Sequence, residues 1–383
     1  MAGYIFGLDT LESLALYTRN GVYATKLSAP RTTWMGHHEG TFADYASMRA
    51  GDNIYFFIQR KVYGIGRLVN VGPDCKYFNF PGASLPRPFA LSEITEHILW
   101  SEGAVSVDQR CVCFFDPDPY FFASGVDMDD VLSSNPDAFK MLRVFWKLSF
   151  IKFDDEENQA FRDILLKRNQ SVLRRPSNQS GTFEFQADRQ PIINRVSPQH
   201  RFDHGMADIM AACADGEQLR HEMAIEAGIL HQLAVQDNHT REVFGTWDYL
   251  SHQVVASPFK PVDYMDKMDL FGYSYVRGFR PTKSRFLVCE IKREIAQPED
   301  IDQLMKYVDW SKDEYCHGDY SMIRAFFVAH GFANGTVEHK QEVGVRKYTV
   351  GVRPARSLEW DELRLIRYSF NSVSHRIEFT LVG

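Results

Sequence analysis

The sequence predicts an α/β protein of two domains, a β-rich one followed by one with a mixed central sheet, on three observations. Short segments rich in Phe, Tyr, Val and Ile recur between turn residues over residues 1–165, as in a small β-barrel or curved sheet. A basic stretch then carries Lys167, Arg168, Arg174, Arg175, Arg189, Arg195 and Arg201 against Glu184 and Asp188, with no lasting apolar period. This marks residues 166–205 as a linker. Beyond it, over 206–383, helical and strand-like patterns alternate, which is the mark of an α/β domain.

In the first domain the clearest strand pair is Asn53 to Ile58 with Val62 to Val69, joined through Gln59-Arg60-Lys61 and led into by the turn Gly51-Asp52. Cys111-Val112-Cys113 puts two thiols on one strand face, where they serve as small core residues. None of the six cysteines has C-x-x-C spacing, so a zinc ribbon is not expected. Asp127, Asp129 and Asp130 suit the positive end of a helix dipole. Ser134-Asn135-Pro136 opens a further helix, DAFKMLRVFWKL, apolar enough to be largely buried.

The run EGTFADYASMRAGDNIYFFIQRKVYGIGRLV resembles the PUA-like group that includes EVE and YTH domains. That resemblance implies a PUA-like barrel that reads modified or flipped bases. An aromatic slot would hold such a base, because any unstacked π-face gains from a ring. Trp34, Tyr45, Tyr55 and Trp100 are the candidates, although a domain this aromatic also packs its core with such residues. Trp34 stands out because it lies among Thr32, Thr33, Gly36, His37 and His38, a polar stretch without apolar period. The two histidines have no acid pair or cysteine at ligand spacing, so this loop is read as polar and not as a metal site. In the linker, Arg174 and Arg175 are candidates to touch phosphate.

The second domain opens with a helix predicted from Gln218 to Val235. Its apolar arc of Met223, Ile225, Ala227, Ile229, Leu230, Leu233 and Ala234 encloses Glu222 and Glu226. Burying an acid without a cation costs several kcal/mol, so a metal, its waters or Lys292 is the expected compensation. Glu226 sits nearer the centre of the stripe and is preferred, with Glu222 as the alternate. The stretch Met265 to Trp310 then supplies three elements. Lys267 to Tyr273 is an apolar run interrupted by Asp269, which a buried strand has no packing reason to carry. In the strand RFLVCEIK, Glu290 and Lys292 share a face because side chains alternate. Pro298, Glu299 and Asp300 start a helix to Trp310, with Gln303 and Tyr307 four apart on one flank. Further strands are predicted at Met322 to Phe332, Val345 to Val352, Leu363 to Phe370 and Ile377 to Val382, the last three extending or flanking the sheet.

Two carboxylates offer hard oxygen ligands to Mg²⁺, which keeps several waters and takes substrate phosphate. A neighbouring lysine can orient and help deprotonate a water, and its charge offsets the charge of a phosphorane-like transition state. Phosphodiester hydrolysis is the chemistry that needs this set. In that order, Asp269, Glu290-Ile291-Lys292 and Gln303-Leu304-Met305-Lys306-Tyr307 resemble the PD-(D/E)XK nuclease superfamily. The Gln and Tyr are similar to its RecB-like branch, and the segment to the nuclease half of NucS. Lys267-Met268 precede the aspartate where some members have proline.

That resemblance implies an αβββαβ core and a Mg²⁺-dependent endodeoxyribonuclease in which Mn²⁺ substitutes. It assigns Glu226, Asp269, Glu290 and Ile291 to the metal, and Asp269, Glu290, Lys292, Gln303 and Tyr307 to catalysis. A sensor joined to a DNA cutter suggests restriction of foreign or modified DNA in phage defence. Mismatch or branched-DNA repair, or a binding module on an inactive nuclease fold, are the alternatives.

With 44% hydrophobic and 14% aromatic residues the chain has ample material for cores. A formal charge of −7 argues against nonspecific coating of nucleic acid while leaving room for a local DNA channel. No apolar run reaches the length of a membrane span and MAGYIFGLDTLESLALY lacks a basic flank, so the expectation is a cytoplasmic protein without membrane contact. No Walker lysine occurs. A homodimer or higher homo-oligomer is expected, because a duplex cutter with one site per chain needs two chains.

Overall fold

The computed structural model describes residues 1–28, 30–35, 39–72, 74–79, 110–139, 150–174, 181–187, 189, 206–257 and 266–383. They fall in two units, Met1–Ala212 and Cys213–Gly383.

The first unit is built on one sheet of β1 (Gly3–Gly7), β2 (Val22–Lys26), β3 (Asn53–Ile58), β4 (Lys61–Leu68), β5 (Lys76–Asn79), β6 (Arg110–Pro117), β7 (Val126–Asp127) and β8 (Phe150–Phe153). Its order is β2-β6-β4-β3-β1-β8, with β5 on β6 and β7 on β4. The pair β1–β3 is parallel and the others are antiparallel. Gln59 and Arg60 make the β3–β4 turn at φ 45° and 69°, so Lys61 opens β4 instead of belonging to the connection. Paired positive φ values match the twist of a two-residue hairpin.

Among the described residues β2 and β8 end the sheet without pairing to each other, so the expected barrel is a curled sheet not closed by backbone hydrogen bonds. Aromatic rings join the two edges instead. Phe150 of β8 lies 5.3 Å from Tyr23 of β2, 5.0 Å from Phe6 and 5.4 Å from Tyr45. Tyr45 also donates its hydroxyl to Val112 O (2.6 Å), and Tyr55 to the Asn158 side chain (2.8 Å), so both are packed in the core. Cys111 and Cys113 are buried free thiols, as the strand period implies.

Helix α1 (Leu11–Asn20) is capped by Thr10 at one end and by Gly21 at φ 60° at the other. After α2 (Phe42–Ser47), α3 (Met128–Ser134) takes Asp127 as its N-cap, which accepts from Asp129 N. At α4 (Asp155–Arg168) Asp154 and Glu157 form a reciprocal capping box. Residues 140–149, which hold most of the helix expected after Pro136, lie outside the described residues, as do His37, His38, Trp100, Arg175 and most of the basic linker.

In the second unit β9 (Ala214–Asp215) pairs with β10 (Gln218–Leu219). That ladder occupies the residues where the first helix was expected to begin, so α5 runs only over Glu222–Ala234. Helix α6 (Asn238–Phe244) follows. The main sheet has the order β11 (Tyr249–Val255), β12 (Lys267–Tyr275), β13 (Lys283–Ala296), β14 (Ile323–Phe332), β17 (Leu363–Asn371), β18 (Arg376–Val382). It is parallel at β13–β14 and β14–β17 and antiparallel elsewhere.

Helix α7 (Pro298–Glu314) connects β13 to β14 and extends a turn past the expected Trp310; Gln297 and Asp300 cap its start. With α6 inserted between α5 and β11, the succession α5-β11-β12-β13-α7-β14 follows the αβββαβ order that the resemblance implied. Helix α8 (Thr336–Val343) precedes β15 (Arg346–Val350) and β16 (Arg356–Trp360), which pair in a separate hairpin. Thus β15 does not extend the main sheet as its β-prone pattern suggested. Gly272 lets β11 approach, since a Cβ there would stand 2.7 Å from Tyr249 O. No helix among the described residues is long and apolar enough to cross a membrane.

Candidate active site

The site forms where β11, β12 and β13 meet α5. Register sets its centre: Leu270 pairs with Cys289, so the next step along the ladder brings Asp269 beside Glu290. Both carboxylates are buried, Asp269 at 7% exposure and Glu290 at 2%. Asp269 accepts from Ile291 N (2.7 Å) and from the Gln253 side-chain amide (3.2 Å). Glu290 Oε1 accepts from Lys292 Nζ at 2.9 Å, which is the meeting expected from residues two apart on a strand. Its other oxygen, Oε2, is buried without a hydrogen-bond partner.

Helix α5 brings Glu226, at 1% exposure, into the same cluster. One of its oxygens meets His252 Nδ1 at 2.9 Å and the other accepts from Gln253 Nε2 at 3.2 Å. Gln253 therefore bridges Glu226 and Asp269, and it does so from a left-handed backbone, φ 51°. One turn earlier Glu222 accepts from Arg293 N at 3.3 Å. On α7 Gln303 donates to the Tyr307 hydroxyl at 2.7 Å, so this pair meets as its four-residue spacing predicts.

The electrostatics follow from this crowding. Burial, then the charges of Glu290, Glu226 and Glu222, push the Asp269 carboxyl well above the usual aspartate range, with the Ile291 N–H opposing. Burial raises Glu290 to about 7, even though Lys292 pulls the other way. Glu222 is raised by burial, partly offset by Lys292. Burial alone would lower Lys292, but Glu290, Glu222 and Asp269 outweigh it and raise its pKa, so it stays an ammonium. In this arrangement Lys292 offers hydrogen-bond donors and positive charge beside Glu290. The Tyr307 hydroxyl is raised by burial and by Glu290.

Asp269, Glu290, Glu226 and Glu222 gather around the Lys292 ammonium, with Lys267 beside Glu226, and the Glu290 Oε2 is buried without a donor. Carboxylate oxygens of this kind could hold a hard divalent cation of the Mg²⁺ type. Asp269, Glu290 and one of the two helical glutamates would hold it. Ile291 has no side-chain donor, so a metal could take only its carbonyl oxygen. Among the described residues no three His, Cys, Asp or Glu side chains form a ready-made metal cage. Mg²⁺ does not require one, since water and substrate oxygens complete its octahedron.

His252 and Gln253 were missed in the sequence. Their signal was available: a polar pair inside the β-prone run YLSHQVV, the same anomaly that exposed Asp269. Trp34 is corrected in the other direction. It is only 6% exposed, packs edge-on against Phe42 at 5.6 Å and donates Nε1 to Ser28 O at 2.9 Å, so it is no open stacking surface. Arg174 is exposed in the first unit.

No family model and no curated protein matches the chain. Among solved structures it is similar to a repair endonuclease from Pyrococcus abyssi, with 22% identity over 35% of this chain and 47% of that one and a TM-score of 0.20. The chain therefore spans less than half of that protein. A structural-genomics protein from Pseudomonas putida aligns at 13% identity, covering 42% of this chain and 98% of its own, with a TM-score of 0.26. Human THYN1, solved in complex with 5-methylcytosine containing DNA, aligns at 10% identity over 44% of this chain and 98% of its own, also with a TM-score of 0.26. At TM-scores this low, any functional reading rests on the side chains described above.

Proposed function

We propose that this protein is a Mg²⁺-dependent DNA endonuclease that hydrolyses phosphodiester bonds. The observation that carries this reading is the union of Asp269, Glu290 and Lys292 on adjacent strands, with a buried Glu290 oxygen that has no donor. When bound, Mg²⁺ supplies a Lewis acid for a phosphoryl oxygen and an acidified water. Asp269 is pre-aimed for it by Ile291 N and Gln253, and Glu290 by Lys292. The Lys292 ammonium is half-buried and donates to the attacking water or to a phosphate oxygen, where it offsets developing negative charge. Gln303 holds the Tyr307 hydroxyl beside this cluster.

Plasmid, linear, single-stranded and phage DNA incubated with Mg²⁺, Mn²⁺ or EDTA test the reading. Cleavage with either metal and none in EDTA is expected, and Asp269→Ala or Glu290→Ala should abolish it with DNA binding kept. Retained cleavage by both variants overturns the assignment. Restriction of foreign or modified DNA is the proposed setting, checked by whether Glu290→Ala removes any protection against phage plating. A duplex cutter of this kind would act as a homodimer, which sedimentation on DNA would reveal.

A further inference from the structure

The opposite end of β12 and β13 from Asp269 and Glu290 carries a second concentration of charged side chains. The connection between these strands is an ordered hairpin, with Val276 N to Thr282 O at 2.7 Å and Phe279 N to Val276 O at 2.9 Å. It concentrates positive charge on a chain whose total is −7. Arg277, Arg280 and Arg285 are exposed and Lys283 is half-buried. One carboxylate, Asp248, lies 3.6 Å from Arg280, and its Oδ2 also accepts from Tyr275 N.

Three of these cations stand over aromatic rings. Arg280 is 4.6 Å from the Tyr275 ring centre, Lys283 4.4 Å from Tyr273 and Arg285 5.5 Å from Trp247. A guanidinium stacked on a ring is held in orientation while its N–H edge stays open to a planar or phosphate partner. At the tip Phe279 is 69% exposed, a large ring without packing to justify it.

We propose that the β12–β13 hairpin is a clamp for the backbone of duplex DNA, with Phe279 set against a sugar or base. Cations held on rings beside an exposed Phe279 favour nucleic acid, whose phosphates take the charged groups and whose sugars offer the ring an apolar contact. Placing the clamp relative to a cut bond rests on the nuclease reading; the binding itself does not. Lys283 pairs with Tyr275 on the face of Asp269 and lies seven residues from Glu290 along β13, about 23 Å at ~3.3 Å per residue, while Arg285 projects from the other face of the hairpin. At a rise of about 3.4 Å per base pair, a duplex axis running along β13 would put Lys283 about seven base pairs from the reacting phosphate.

The test is binding of a labelled 30-base-pair duplex by the full-length protein in EDTA, where nothing is cut, over a salt series. Removing three phosphate contacts in the Arg280→Gln, Lys283→Gln, Arg285→Gln variant should make the slope of log K against log salt shallower by about 2.7. Arg277→Gln with Arg280→Gln alters exposed residues only and guards against misfolding; its slope should fall by up to about 1.8. Phe279→Ala should weaken binding several-fold without changing the slope. Unchanged slopes in both charge variants at wild-type melting temperature overturn the clamp, as does absence of duplex binding by wild type. Binding to phosphatidylserine vesicles that both variants lose while duplex slopes stay put also overturns it, in favour of a lipid surface. Lower slopes in a protein that cuts no DNA uphold the clamp and sink the nuclease reading; unchanged slopes with normal cleavage do the reverse.

Discussion

Asp118 in the first unit and Asp269 in the second are both withdrawn from water, yet their carboxyls move in opposite directions. Burial raises each one. At Asp118 the side-chain amide of Asn53 (3.0 Å) and the guanidiniums of Arg162 (2.9 Å) and Arg67 (2.7 Å) outweigh it, leaving the carboxyl below its usual range. At Asp269 the near neighbours are other acids, and the carboxyl is pushed well up. Donors around an acid favour its charged form and make a structural joint, whereas acids around an acid disfavour it. Asp154 and Glu157 of the first unit are likewise satisfied, by reciprocal caps.

The largest change in stability should come from the satisfied side. Trp34→Ala empties a buried site and is expected to cost about 3–5 kcal/mol, read as a loss in denaturant unfolding. Weakened DNA binding at unchanged stability would instead return Trp34 to an open stacking role. On the unsatisfied side, Lys292→Met removes a charge and its donors while keeping volume. Cleavage at matched Mg²⁺ and saturating DNA should fall about 10²-fold or more, and equal rates would remove Lys292 from the mechanism.

Charge removal at the two aspartates sharpens the contrast through its sign. Asp118→Asn should destabilise by about 1–3 kcal/mol, because it weakens bonds to two arginines that are themselves partly in water. Asp269→Asn should raise the melting temperature of the metal-free protein by relieving repulsion. A fall in both variants would mean that Asp269 is a structural joint as well.

The smallest effect is in pH. Glu290 is raised to about 7 and Asp269 is raised too, so between the unfolded carboxylate range and about pH 7 the folded chain holds protons that the unfolded chain has released. Their contribution to metal-free stability is therefore greatest in mild acid and is lost as pH rises through 7. Mg²⁺ must displace such a proton. If it binds here as proposed, its affinity should fall as pH falls through 7, with more protons released on binding at pH 6 than at pH 8.5. Calorimetry in two buffers of different ionisation enthalpy measures this directly, and equal proton release at both pH values would contradict the raised carboxyl.

What the sequence determined by itself was local. A period of two placed Glu290 against Lys292, and a spacing of four placed Gln303 against Tyr307. These pairs follow from periodicity, a property of neighbouring residues, whereas the αβββαβ order was implied by the resemblance to PD-(D/E)XK nucleases. An acid in an apolar run marked Asp269, and acids inside an apolar stripe marked Glu222 and Glu226, since burial of charge is costly wherever it occurs. Tertiary structure decided the partners. That His252 and Gln253 meet Glu226 depends on β11 pairing with β12 and on where α5 packs, which no local pattern encodes. It also turned Trp34 inward against Phe42, and set β15 on β16 away from the main sheet. Such contacts join residues distant in sequence, and their free energy exists only once register and packing bring the surfaces together.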